Sequence, residues 1–462
     1  MLLFAATLSA GAQQYSFTFK LKDVSDTMLY IAQHYRDEIK LVDSTRLVSG
    51  KYLFKGNRNW EKGIYALVRQ NRTEQIGDFA IDGSRKFTIS GDSKLTPASV
   101  SVQGCPSNQQ MFSYMATIQQ GQKDIKEIRE RKKDESTKAK AEADEKALIE
   151  RMEAFESEAR KGNSIFMQLI NLTENPDVPD SIENPAYYYR SHYWDKLFEG
   201  KNKVNASTLL HSPQMFNKMN YFFFGILYHA DSDTIIKELD RLMGRIGNDT
   251  AMARFVLQFI EPKYYRASKN IGWDAVWCHI AGEYILKGRC PWMRESELFL
   301  ARKNYNRIRQ SIIGAHGQEL WMADTNQSDN PNDWISSHRF PTKYVILWFW
   351  DPDCHHCQEQ SEQLKVLYDS LMTAPDKRFE VYAVGYESDV AKWKNYVKKH
   401  QFNWVNVGGP NVNIDYQEAY NVHGAPTMII LNERRDIIMN KVLPIKSLLQ
   451  FLDNYEKRQQ KK

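Results

Sequence analysis

Cysteine is scarce in this sequence: five residues (Cys105, Cys278, Cys290, Cys354 and Cys357) in 462. So few cannot supply a disulfide framework, and the chain must rest on apolar cores. Cys278 and Cys290 are not expected to pair. A helical pattern from Trp273 to Lys287 carries the chain about 13 Å beyond Cys278, whereas a bridge needs Cα atoms within about 7 Å. Charge of one sign is lacking too: 62 basic residues against 57 acidic ones leave a formal net charge of +5. That balance, with no basic face built for phosphates, gives no support for a nucleic-acid footprint. Beyond the N-terminus no apolar run is long enough to span a membrane. A second ligand pair at zinc spacing and a fixed-period repeat are also missing.

What is present fits a folded chain of two to four domains, with 42% hydrophobic and 12% aromatic residues. Residues 1–12 are expected to be a signal peptide. Leu2 to Leu8 supplies an apolar core, and Ala10-Gly11-Ala12 a small-residue cleavage site, although the positive n-region is missing. No cysteine follows for lipid attachment. The expected location is therefore the periplasm, an oxidising compartment, as an exported protein that does not span the membrane.

Residues 13–104 alternate like half-buried strands, as in Tyr15-Ser-Phe-Thr-Phe-Lys-Leu21, with turns at Ser49-Gly50, Asp82-Gly83 and Ser90-Gly91-Asp92. They predict an antiparallel β-sandwich or barrel. Residues 105–314 predict an all-α domain. Its segment 122–161 is a charged, solvated helix, or two helices meeting near Ser136-Thr137, with i,i+4 pairs Glu127/Arg131, Asp134/Lys138 and Glu142/Lys146. The aromatic clusters that follow, among them Tyr221-Phe-Phe-Phe224, are read as packing between helices.

Residues 315–462 carry the chemistry. The apolar run Tyr344-Val-Ile-Leu-Trp-Phe-Trp350 reads as a strand. Cys354-His355-His356-Cys357 follows, and Leu364, Leu367, Tyr368 and Leu371 then recur at helical spacing. Two thiols three residues apart at a strand-to-helix junction can close a small disulfide across the first helical turn. The leading thiol faces unpaired backbone N–H groups and the positive end of the helix dipole, so its thiolate is favoured. The pattern continues with a strand at Phe379–Gly385, a helix at Asp389–His400, a short strand at Trp404-Val405, a loop at Gly408-Gly-Pro410, strands at Thr427–Leu431 and Ile437–Val442, and a last helix from Ser447. This is a compact α/β sandwich.

That order, with Gly424-Ala-Pro426-Thr before a strand, resembles the thioredoxin fold over about residues 315–456. The hairpin ahead of it and the helix-containing insertion resemble the exported TlpA/ResA-like branch of thiol-disulfide oxidoreductases. Residues upstream resemble β and helical modules of uncharacterised type. The resemblance implies that Cys354 is the attacking thiol and Cys357 the resolving one. It implies that Pro426 is a cis-proline facing them with Ala425 before it, and that Trp350 is an aromatic at the substrate side. It implies no cofactor beyond a redox-active Cys354–Cys357 disulfide, and no metal. Its partners would be protein thiols and disulfides and a membrane-linked or soluble thiol redox partner. Departures from the pattern are Trp348 in place of a buried acid, Asp353 in place of an aromatic, and Gln360 in place of a glutamate. Glu359 and the histidines His355 and His356 then become the candidate tuning groups, with protonated imidazole favouring the Cys354 thiolate.

Two other functions fit the same residues. Cys354, Cys357 and a histidine such as His423 have the softness to bind Cu(I), as in a copper metallochaperone of this fold. Alternatively the chain is an envelope interaction scaffold whose redox site is secondary, since about two thirds of it lies outside the dithiol domain.

Overall fold

The structure is a computed structural model that describes residues 14–199, 206–266, 270–324, 333–372, 377–386 and 389–460. The signal-peptide expectation falls on residues 1–12 and lies outside them. The chain divides into two compact units, 1–230 with 237–259, and 231–236 with 260–462.

The first unit opens with eight strands: β1 (Gln14–Leu21), β2 (Met28–Tyr35), β3 (Glu38–Val48), β4 (Lys51–Asn57), β5 (Gly63–Val68), β6 (Gln75–Ile81), β7 (Lys86–Gly91) and β8 (Ser101–Gln103). They form one sheet in the order β6-β5-β2-β3-β4-β1-β7-β8, antiparallel except for the parallel β1–β7 pair. Alternation explains the core. Phe17 and Phe19 of β1 point inward with Phe54, Phe79 and Phe87, and Phe17 stacks on Phe87 at 4.3 Å.

The charged segment is two helices, α1 (Pro106–Arg131) and α2 (Lys138–Ala159), folded back on each other. Gly121 permits their approach, because a Cβ there would meet Met152 Sδ at 2.7 Å. This corrects the expected i,i+4 pairing. Arg131 pairs with Asp144 across the hairpin, Arg129 and Lys132 share Glu145, and Lys138 pairs with Glu135. Lys146 keeps the i,i+4 spacing but pairs with Glu150 and not with Glu142. Helices α3 (Ile165–Thr173), α4 (Pro185–His192), α5 (Asp195–Glu199), α6 (Ala206–Leu210), α7 (Pro213–Tyr221), α8 (Ser232–Ile246) and α9 (Thr250–Arg266) follow, the unit boundary running through the last two.

The second unit holds α10 (Trp273–His279), α11 (Glu295–Ile308) and a seven-stranded sheet. Its strands are β9 (Trp321–Asp324), β10 (Trp334–Ser336), β11 (Tyr344–Trp350), β12 (Phe379–Gly385), β13 (Val405–Val412), β14 (Thr427–Leu431) and β15 (Ile437–Met439), in the order β10-β9-β13-β12-β11-β14-β15. Its helices are α12 (His355–Met372), α13 (Val390–His400), α14 (Tyr416–Ala419) and α15 (Leu448–Gln459). β11 is parallel to β12 and antiparallel to β14. It is buried along its whole length because both faces are covered. Tyr344, Ile346, Trp348 and Trp350 enter the core shared with Cys357 and Leu364, while Val345, Leu347 and Phe349 enter the core on the opposite face.

Gly408-Gly-Pro410, expected as a loop, lies within β13. The strand pairs with β9 through a register shift between Val407 and Val412. Such an irregularity accommodates glycine and proline inside a sheet.

Candidate redox site

The end of β11 delivers the chain to the site. After Trp350, Asp351 turns it: the Asp353 N–H donates to Asp351 Oδ1 at 2.7 Å and the Cys354 N–H to Asp351 O at 3.2 Å. The Gln358 side-chain amide donates back to Pro352 O at 2.7 Å, and its backbone N–H donates to Cys354 O at 3.0 Å. Cys354 is therefore the residue that caps α12. Its Sγ accepts from the Cys357 N–H at 3.3 Å, as a capping side chain accepts from the third helical residue. A negative sulfur at that position meets an unpaired donor and the positive end of the helix.

The two thiols differ in surroundings. Cys354 is partly exposed, whereas Cys357 is fully buried, and both stand as free thiols. Burial, reinforced by the hydrogen bond with Cys354, pushes the Cys357 thiol up to about 12. Burial, with smaller contributions from the carboxylates of Asp82, Glu261 and Asp274 respectively, pushes Cys105 and Cys290 up to about 11 and Cys278 up to about 12. All three are buried in the folded chain.

Ala425–Pro426 is a cis peptide. The Cys354 thiol donates to Ala425 O at 3.7 Å, so this loop faces the Cys354 sulfur. Ala425 and Pro426 are both half-buried, and the Thr427 hydroxyl, donating to Gly424 O at 2.7 Å, braces the turn. His355 and His356 are exposed on the first turn of α12, and Glu359 is exposed beyond them. His423 is exposed and bonded to Asn421 Oδ1 at 2.8 Å. Partial desolvation and the Arg307 charge hold its pKa down, against the pull of Glu418. Among the described residues no group of three or more His, Cys, Asp or Glu side chains is placed to hold a metal ion.

Trp350 is not at the substrate side, which corrects the sequence expectation. It is fully buried, with its ring among Trp393, Tyr396 and Phe402 at centroid distances of 5.5–6.2 Å. It ends a strand covered on both faces, so no side chain there reaches solvent. Trp348, also fully buried, donates to Ser361 Oγ at 2.9 Å beneath the first turns of α12. A neutral pair thus fills the place where the resembling fold carries a buried acid. One neighbour escaped the sequence reading: Lys392 of α13 forms an ion pair with Asp353, the residue before Cys354. Thirty-nine residues separate the two, and no local pattern announces such a contact.

Residues 342–437 match the model of a family described as thioredoxin-like. These residues form a thioredoxin-like domain. Residues 121–311 match a domain of unknown function, DUF5106. No curated protein matches the chain. Among solved structures, a domain of a possible thiol-disulfide isomerase from Cytophaga hutchinsonii is 27% identical. The match covers 33% of this chain and 97% of that one, with a TM-score of 0.28. A thioredoxin-like protein from Bacteroides caccae is 16% identical over 60% of this chain and 97% of its own, with a TM-score of 0.45. A thiol:disulfide interchange protein from a Bacteroides species is 20% identical over 31% of this chain and 92% of its own, with a TM-score of 0.27. The thioredoxin-like match includes Cys354, Cys357 and Pro426, which the fold brings to one end of β11 and β14.

Proposed function

We propose that this chain is an exported thiol-disulfide oxidoreductase that exchanges the Cys354/Cys357 dithiol with protein disulfides in the bacterial envelope. The observation that carries the reading is the asymmetry of the two sulfurs at one helix entrance. Cys354 is reachable and capped by the Cys357 N–H, whereas Cys357 is buried behind it. The Cys354 thiolate attacks a substrate disulfide, and one substrate sulfur leaves as a thiolate that takes up a proton. Cys357, once deprotonated, then attacks Cys354 in the mixed disulfide. The second substrate sulfur leaves, and Cys354–Cys357 closes as the oxidised product. The substrate gains two electrons and the dithiol loses them, so a thiol redox partner must re-reduce the protein. The half-buried Ala425–Pro426 turn offers backbone on which an extended substrate segment lies across the sulfurs.

Export is supported by the apolar core and small-residue site within residues 1–12. No helix of the described residues is long and apolar enough to cross a membrane. Insulin reduction driven by dithiothreitol tests the activity. The wild-type chain is expected to accelerate precipitation of the insulin B chain and Cys354→Ser to leave the background rate. Equal rates for the two proteins would refute the reading.

A further inference from the structure

The loop that carries Cys354 is acidic, with Asp351 and Asp353 both within three residues of the sulfur. Negative charge there disfavours a thiolate. A cation placed against it comes from a different element. Lys392 on α13 is held by two contacts of its own helix. Its backbone N–H donates at 2.9 Å to Asp389, which caps α13, and the next residue, Trp393, is buried against Gly385, where a Cβ would come within 2.9 Å of the indole. From that position its ammonium pairs with the Asp353 carboxylate. The same ammonium also feels the charges of Asp351 and Asp389.

We propose that Lys392 is the charge-compensating residue of the redox site, pairing with Asp353 so that this carboxylate does not act against a thiolate at Cys354. This rests on the reading of Cys354 as the attacking thiol. The charged and titratable groups on the elements that meet at that sulfur are Asp351 and Asp353 ahead of it, His355, His356, Cys357 and Glu359 on α12, Asp389 and Lys392 on α13, and His423 on the proline loop. With Lys392 in place, the nearest carboxylate in sequence is paired. Without it, Asp351 and Asp353 both act on the sulfur. Lys392 touches neither substrate nor sulfur; it acts through Asp353.

The test is the pH dependence of iodoacetamide alkylation of Cys354 in the reduced full chain, with the labelled cysteine identified by mass spectrometry. This reads the thiolate directly and needs no exchange partner, so failure of the exchange activity and failure of this inference give separate results. Lys392→Met is expected to move the alkylation midpoint to higher pH and to slow labelling at pH 7 by about two- to fivefold, the range an exposed ion pair supports. Asp353→Asn is expected to move the midpoint the other way. The double variant is expected to return close to wild type, and Lys392→Arg to match it. The Lys392→Met shift should shrink in 1 M salt, where screening operates over about 3 Å. An unchanged midpoint in Lys392→Met would overturn the proposal. So would two single variants shifting in the same direction, which would mark the pair as a structural brace.

Discussion

The Cys357 N–H points at the Cys354 sulfur from 3.3 Å. One backbone donor thus couples the two cysteines before any bond forms between them. In the proposed exchange, the residue that supplies it is also the one that attacks the same sulfur. Removing either side chain therefore has distinct consequences. Cys354→Ser is expected to abolish exchange. Cys357→Ala keeps the backbone donor and is expected to attack substrates and stall as a mixed disulfide, visible as a band shift on non-reducing gels.

Resolution should depend on pH. The Cys357 thiol is pushed up to about 12, so little of it is ionised at neutrality. Stopped mixed disulfides of the wild-type chain are expected to clear about tenfold faster per pH unit across the range below that value. Quenched-flow trapping at pH 6, 7 and 8 measures this. A flat profile would mean that Cys357 is deprotonated by a neighbour.

Stability of the reduced chain should also fall in alkali. Thiols of the unfolded chain ionise near 9.0, whereas burial raises Cys105 and Cys290 to about 11 in the folded state. Above pH 9 the unfolded state has lost protons that the folded state keeps, so stability is complete below pH 9 and declines as the pH rises past it. The buried tyrosines Tyr65, Tyr193 and Tyr264, also raised by burial, act in the same direction at higher pH. Urea unfolding of the reduced protein at pH 7, 9 and 10 should show the midpoint dropping across the last two.

Replacing Trp350 separates a core role from a substrate-side one. As a core residue among Trp393, Tyr396 and Phe402, its replacement by alanine should cost about 3–5 kcal/mol of stability. The KM for a disulfide substrate should stay within about twofold of wild type at a temperature where the variant is folded, because only lost substrate contacts raise KM alone. A large rise in KM with unchanged stability would return Trp350 to the substrate side.

The two histidines between the thiols are exposed, and a protonated imidazole favours the neighbouring thiolate. The variant with alanine at both His355 and His356 is expected to be a weaker oxidant, with an exchange constant against glutathione shifted about two- to tenfold toward the disulfide.

Much of this site was readable from sequence because its parts are local. The apolar run Tyr344–Trp350, the cysteine spacing and the helical recurrence after Cys357 each lie within one element, and the structure realises them as β11, the capped turn and α12. Gly408-Gly-Pro410 misled because glycine and proline signal a loop by local preference, while a bulged pairing with β9 overrides that preference. Trp350 misled because an aromatic beside a motif reads alike whether it faces solvent or core. Burial depends on α13 and the segment around Phe402, which lie about forty residues or more away in the sequence. The Lys392–Asp353 pair and the cross-hairpin pairs of Glu145 were hidden for the same reason: tertiary packing selects the partner.

Capture of envelope proteins by the Cys357→Ala chain, followed by mass spectrometry of the disulfide-linked species, bears most directly on the exchange role. Covalent partners joined through Cys354, released by dithiothreitol and missing when Cys354 is also replaced by serine, are the expected result. Recovery of the same partners irrespective of Cys354, or of none in a preparation whose Cys354 alkylates readily, would contradict it.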